Sequence, residues 1–346
     1  MMAWNCFINT IDAGSPADRI IGMIYGHALG DAVGLPMEYQ KPAAAKFPYT
    51  DPVREFEPCD WSEDTDHLII VMKHMVDNDF EFDARLIAAD LKKWSIEGFS
   101  KIGDKTGLGL SNTTKFVFDH PEFTNDPKTA ADDIWASSNG KFCTNGSLMR
   151  TDIVGVIPDS ETIAEWASEL SQVTHTDHRC ISCCVFQSLI IGELIYSPVS
   201  SPGDVDNLLA SCANVARKYL GSSDDGELST YVQTAYTRDI AELKLADMVG
   251  ISSAFKALSC SIYSLQVIKS ALIHNKTPSF KKVILKLASA CGDANTNCAL
   301  AGGTLGCYLG YSKLPKEWID AMPHVKWFNT QIMDFIYKLR SSFGRG

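Results

Sequence analysis

Apolar residues recur at three- and four-residue intervals in one segment after another of this chain, and alternating patterns are nearly absent. That period marks helices with one buried face, so the sequence is confined to an all-α fold. Residues 17–29 set Ile20, Ile21, Ile24 and Leu29 near one face, and residues 66–77 do the same with Leu68, Ile69, Val71, Met72 and Met75. Residues 84–96 carry Leu86, Ile87, Ala89, Leu91 and Trp94, and Ser160 is placed to cap a helix over 163–173. Further helices are expected over 181–195, 205–220, 254–271, 280–290, 298–311 and 327–339. The 298–311 segment contains Gly302, Gly303, Gly306 and Gly310, each of which costs an exposed helix roughly 1 kcal/mol against alanine. Close packing must offset that cost, which predicts a helix at the centre of a bundle.

The chain has 346 residues, more than most single domains, yet no linker divides it. The longest low-complexity stretches, 197–203 and 221–226, read as loops between helices. One domain over 1–346 is expected, with 1–16 as a flexible amino-terminal extension. Residues 1–16 lack a basic start and a long apolar run, so neither a secretory signal nor a transit peptide is expected there. No apolar stretch of about 18 residues suggests a membrane span. A net charge of −11 argues against a nucleic-acid partner, and Lys281-Lys282 is too small a basic cluster to reverse it. Eleven scattered cysteines read as reduced thiols of an intracellular, cytoplasmic protein. Cys180-Ile181-Ser182-Cys183-Cys184 holds a CxxC, read as small apolar packing on a helix because no second CxxC follows.

Two acidic segments precede apolar helical stretches: Trp61-Ser62-Glu63-Asp64-Thr65-Asp66 and Gly292-Asp293-Ala294-Asn295-Thr296-Asn297. Their carboxylates, carboxamide oxygens and hydroxyls are the hard donors that Mg²⁺ or Mn²⁺ prefers. The same residue types are good helix N-caps, and acids in a first turn are stabilised by the helix dipole. Either segment alone is open to both readings.

Further segments resemble the ADP-ribosylglycohydrolase family, in order, over residues 20–330. Gly26-His27-Ala28-Leu29-Gly30-Asp31-Ala32-Val33-Gly34-Leu35-Pro36-Met37-Glu38 is similar to its amino-terminal signature. Ser62-Glu63-Asp64-Thr65 is similar to its Thr-Asp-Asp-Thr motif, and the Gly292 to Asn297 segment to its Gly-Asp-x-Asp-Thr-Asn. Asn145-Gly146-Ser147-Leu148-Met149-Arg150, followed by Thr174-His175-Thr176-Asp177, completes the set. The resemblance implies a compact orthogonal arrangement of helices with a metal centre in a central cleft. It implies two Mg²⁺ ions, with Mn²⁺ as a substitute, and ADP-ribose or an ADP-ribosylated protein as partner.

Carried over residue by residue, Ser62, Glu63, Asp64, Asp293, Asn295 and Thr296 fall on the family's metal-ligand positions, and Glu38 on its catalytic or gating carboxylate. A carboxylate there can accept a proton from water or give one to a leaving group. Gly107 and Gly109 lie in a loop that resembles the one passing the substrate diphosphate, where freed backbone N–H groups can cradle an anion. Asn145, Gly146 and Ser147 match the segment lining the ribose and phosphate side, and His175 matches a histidine near the same groups. Met149 and Arg150 are expected to pack and anchor that segment. Asp31 is open to two readings, holding a loop or touching a metal.

Three positions depart from the family, and the first, Ser62 for a threonine, keeps the hydroxyl, so little loss is expected there. Glu63 replaces an aspartate and extends the carboxylate by about 1.5 Å. Asn295 replaces the second aspartate of Asp-x-Asp-Thr, which keeps a carbonyl oxygen but removes one negative charge. Two functions follow: a metal-dependent hydrolase that releases ADP-ribose from a protein side chain or small conjugate, or a degenerate relative that binds ADP-ribose or keeps only the fold.

Overall fold

Helices begin where short polar side chains can take up the free amides of a first turn. Ser15, Ser62, Asp83, Asp159, Asp177 and Ser279 each accept such an N–H. The computed structural model describes residues 2–221, 224–237 and 239–344. Its α-helices are α1 Met2–Ile8, α2 Pro16–Gly34, α3 Glu63–Asp77, α4 Ala84–Glu97, α5 Asn112–Phe118, α6 Pro127–Ser137, α7 Ser160–Gln172 and α8 His178–Tyr196. They continue as α9 Pro202–Ala216, α10 Asp225–Thr237, α11 Ala254–Ile273, α12 Phe280–Ser289, α13 Ala294–Leu309, α14 Lys316–Ile319 and α15 Val325–Phe343. Among the described residues there is no strand. Two isolated bridges, Val53 with Phe56 and Thr144 with Ser253, are the β pairing found there.

The centre is a backbone-to-backbone contact between α2 and α13, which run antiparallel. Gly22, Gly26, Gly30 and Gly34 face Gly306, Gly302, Cys298 and Ala294 in turn. A Cβ on Gly26 would sit 2.2 Å from the Gly302 carbonyl oxygen, and one on Gly302 would sit 2.1 Å from the Gly26 oxygen. The expected central glycine-rich helix is therefore present, and its partner is a helix with glycine at every fourth position. The pairing sets the carboxyl end of α2, and Glu38 just beyond it, beside the amino end of α13. Apolar side chains of α8 and α11 close around the pair, with Cys184, Phe186, Ile190, Leu258 and Ile262 buried.

Three expectations are corrected. Residues 2–16 pack against the body of the protein instead of forming a flexible extension: α1 buries Trp4 and Phe7, and the Trp4 indole nitrogen donates to the Tyr311 hydroxyl at 3.3 Å. Helix α8 is long and apolar enough to cross a membrane by length and composition, but 83% of that stretch is buried inside the protein, as in a core helix. Helices α3 and α13 start three and four residues earlier than the apolar pattern, so the acidic motifs form their first turns instead of preceding them.

Candidate active site

Asp31, fully buried on α2, is the anchor of α3. Its carboxylate accepts Ser62 N at 2.9 Å, Ser62 Oγ at 2.7 Å, Thr65 N at 3.1 Å and Thr65 Oγ1 at 2.7 Å. Asp31 lies within α2, not in a loop, and these bonds hold the first turn of α3 against it. Burial raises its proton affinity, and the donors work against that rise.

The chain enters α13 through Gly292 at φ +75°, where a side chain would strike the Leu245 carbonyl. That turn presents Asp293, whose Oδ2 accepts Asn145 Nδ2 at 3.0 Å and the Tyr39 hydroxyl at 3.1 Å. Asn295 Nδ2 donates to Asp64 Oδ2 at 2.8 Å and to Ser62 Oγ at 3.1 Å, and Thr296 Oγ1 donates to Asp64 Oδ1 at 2.8 Å. The two acidic motifs thus meet through direct hydrogen bonds. Asn295 Oδ1 is buried without a partner.

Glu63 points from α3 onto the 104–111 loop. Gly109, at φ +89°, accommodates it: a Cβ there would lie 1.7 Å from Glu63 Oε2. Glu38 pairs with Arg54 at the cleft edge. Burial, then the negative charge of Asp293, pushes the Glu38 carboxyl up to about 7, against the pull of Arg54. Glu63 and Asp64 are likewise held well above the ordinary carboxylate range, chiefly by burial, then by Asp64 on Glu63 and by Asp31 on Asp64.

These groups border a cleft of about 360 Å³ lined by Glu38, Tyr39, Arg54, Glu63, residues 109–114, Thr144 to Gly146, Met149, Ser252, Asp293 and Thr296. Ser62, Asp64 and Asn295 are buried beneath it. Three expected substrate residues are not on its surface. Gly107 packs on Trp94, whose ring would lie 3.0 Å from an added Cβ. Ser147 is fully buried, with its hydroxyl 3.1 Å from Ser171 Oγ. His175 is buried behind Gly146, bonded to Thr144 Oγ1 at 2.8 Å and Thr174 Oγ1 at 2.7 Å. Burial, with Arg150 nearby, pulls its imidazole down to about 3, so it is neutral and supports the wall instead of attracting an anion. Arg150 anchors the segment as expected, donating to Gly146 O, Leu170 O and Thr174 Oγ1.

Tyr39, Arg54 and Ser252 were not anticipated. Tyr39 adopts φ +56°, and its hydroxyl bridges Ser252 Oγ at 2.9 Å and Asp293. Its place directly after Glu38 was the available signal; Arg54 and Ser252 sit in loops with no local pattern.

The donor set is all oxygen on the acidic side: carboxylates of Glu63, Asp64 and Asp293, hydroxyls of Ser62 and Thr296, and the unpartnered Asn295 Oδ1. Carboxylates buried together, with Asp64 raising the proton affinity of Glu63 and Asp293 that of Asp64, and a buried amide oxygen left without a partner on Asn295, suit a hard divalent cation.

The chain is 24% identical to an uncharacterized protein of Archaeoglobus fulgidus, over 88% of this chain and 92% of that one. It is 23% identical to the ADP-ribosylarginine hydrolase Tri1 of Pseudomonas putida, over 88% of this chain and 74% of that one. The fold matches a solved structure described as an ADP-ribosylglycohydrolase-related protein complex with a TM-score of 0.66 at 18% identity, covering 94% of this chain and 99% of that one. A family model described as ADP-ribosylglycohydrolase matches residues 12–343, nearly the whole chain, which therefore belongs to the ADP-ribosylglycohydrolase family.

Proposed function

We propose that this chain is a metal-dependent hydrolase that cleaves the glycosidic bond between ADP-ribose and a modified protein side chain or small conjugate. The observation that carries this reading is the convergence of Glu38, Glu63, Asp293 and Thr296 on one cleft, above the buried Asp64. The name of the Pseudomonas putida relative, an ADP-ribosylarginine hydrolase, favours arginine as the acceptor.

Glu63, Asp64, Asp293, Asn295 and Thr296 would hold Mg²⁺, two ions in the full site, or Mn²⁺ in their place. Such ions supply positive charge for ribose and phosphate oxygens and make bound water more acidic. The chain's own residues do the rest. The backbone of residues 109–114, opened by Gly109, offers N–H groups to the diphosphate. Asn145 and Tyr39 fix the orientation of the Asp293 carboxylate. Glu38, with its carboxyl near neutrality, can take a proton from water or give one to the leaving nitrogen, and Arg54 holds it at the cleft edge. The eleven free thiols support a reducing, cytoplasmic setting.

A second reading, a degenerate relative that binds ADP-ribose without turnover, is favoured by Asn295, whose amide nitrogen is already bonded to Asp64. Release of ADP-ribose from arginine- and serine-linked conjugates, titrated with Mg²⁺ and Mn²⁺, separates the two. Metal-dependent release that disappears in Glu38→Gln supports the hydrolase. Calorimetric binding of ADP-ribose with no release from any conjugate would establish the second reading, and neither binding nor release would remove both.

A further inference from the structure

Outside the cleft lining, the Sγ atoms of Cys143 and Cys180 and a carboxylate oxygen of Asp177 all lie within 4.8 Å of one another. Cys143 directly precedes the cleft-wall segment, and Cys180 sits in the first turn of α8. Three such ligands invite a soft cation, but Asp177 is already committed. Its Oδ1 accepts Arg179 N at 2.8 Å and Nε at 2.9 Å, while Oδ2 accepts Arg179 Nη2 at 2.7 Å and Trp135 Nε1 at 2.9 Å. A guanidinium bound to both oxygens neutralises the carboxylate and repels a metal ion. What remains is a pair of thiols, far apart in sequence and adjacent in space.

The two differ in accessibility. Cys143 is partly exposed, whereas Cys180 is buried and donates to the Thr144 carbonyl at 3.2 Å. A small oxidant therefore meets Cys143 first, with Cys180 positioned behind it. We propose that Cys143 and Cys180 form an oxidation site, converted by a peroxide to an intramolecular disulfide that pulls on the cleft wall. In the first step the Cys143 thiol loses its proton and its sulfur attacks the peroxide, the O–O bond breaks, a sulfenic acid forms, and the leaving hydroxide takes up that proton as water. In the second, Cys180 sulfur attacks the sulfenic sulfur, the S–S bond forms, and the hydroxyl leaves with the Cys180 proton as water. The dithiol is oxidised by two electrons and the peroxide is reduced by two. A thiol reductant reverses the change by exchange.

The effect on the wall follows from backbone bonds. A disulfide needs its sulfurs at about 2.05 Å, so the Cys143 and Cys180 sulfurs must close on each other and Cys180 must release Thr144 O. Cys143 O accepts Ala254 N at 3.3 Å, and Asn145 N donates to Ser252 O at 2.9 Å. Movement of Cys143 is thereby passed to Asn145 and Ser252, the residues that bond Asp293 and Tyr39. This consequence for the cleft does not depend on the identity of its ligand.

The test treats the reduced full chain with hydrogen peroxide, alkylates the remaining thiols, and maps tryptic peptides by mass spectrometry. The expected product links peptide 142–150 to peptide 180–217, with fragmentation placing the bond at Cys180, loss of two thiols per chain, and reversal by dithiothreitol. Cys143→Ser should abolish the link and Cys183→Ser should retain it. A dimedone adduct should accumulate on Cys143 in Cys180→Ser; should that variant not fold, the Cys143→Ser result stands in its place. A bond at Cys183 or Cys184, a bond between two chains, or over-oxidation of Cys143 without a bond overturns the proposal. Deuterium uptake over 143–147 and 252–254 should change on oxidation, and unchanged uptake would overturn the link to the cleft.

Discussion

Asn295 Nδ2 and Asp64 Oδ2 are joined by a 2.8 Å hydrogen bond across the base of the cleft. An amide nitrogen has no lone pair for a cation, so metal binding at this position requires the amide to turn and present its orphaned Oδ1. Asn295→Asp should therefore have opposite effects in two buffers. With a chelator it removes the donor from Asp64 and adds a like charge, costing about 2 kcal/mol and lowering Tm. With millimolar Mg²⁺ the restored carboxylate should give a larger Tm rise than in the parent chain. An equal Mg²⁺-induced shift in both proteins would remove Asn295 from the metal site.

The raised carboxyl of Glu38 makes metal-free stability depend on pH. Its proton affinity is higher in the folded than in the unfolded chain, so its contribution is fully present below about pH 4.5 and is lost as pH climbs through about 7. The loss is at most about 3 kcal/mol. Glu38→Gln should flatten the fall of Tm over that window while abolishing turnover. Arg54→Ala should extend the fall to higher pH, because Arg54 holds the Glu38 carboxyl down. Identical Tm profiles for the parent and Glu38→Gln would contradict the burial argument.

Gly109→Ala should displace Glu63, since the new methyl and Oε2 cannot both occupy their places at 1.7 Å. Strain at positive φ adds roughly 1 kcal/mol. Weaker Mg²⁺-dependent stabilisation is the expected readout. Gly107→Ala should instead lower Tm through its contact with Trp94 and leave the metal response intact. If the two variants respond alike to Mg²⁺, the assignment of Gly109 to the site fails.

Gly26→Ala should be among the most damaging single changes, with an expected cost above about 3 kcal/mol, because the clash at 2.2 Å is with backbone that cannot rotate away. Chemical denaturation measures it directly. A loss below about 1 kcal/mol would mean that α2 and α13 can separate at little cost.

The helical class and the large helices were legible because their buried faces repeat at the helical period. Helices α5, α6 and α10 were not, being short or weakly amphipathic, so their ends are set by capping and tertiary contact more than by pattern. The apolar pattern placed the start of α13 at residue 298, because Asn295, Thr296 and Asn297 are polar yet buried, which inverts the usual rule at a site. The pairing of the two acidic motifs was readable from donor chemistry. The burial of His175 and Ser147 was not, because a polar residue bonded inside the core looks, in sequence, the same as one facing a ligand. Arg54 and Ser252 reach the cleft only through the path of their loops, which no local spacing encodes.

The meeting of α2 and α13 acts as a ruler with marks four residues apart. No layer of side chains lies between them to be trimmed or enlarged, so gradual substitution cannot slide one helix along the other. The offset between Glu38, just past the carboxyl end of α2, and Asp293, at the adjoining amino end of α13, is consequently discrete: it can be kept or lost as a whole turn, but not adjusted. Any change in what the cleft accepts must then come from its detachable rim, the segments around Arg54, Gly109 and Ser252, which can vary in length and composition while the ruler stays fixed.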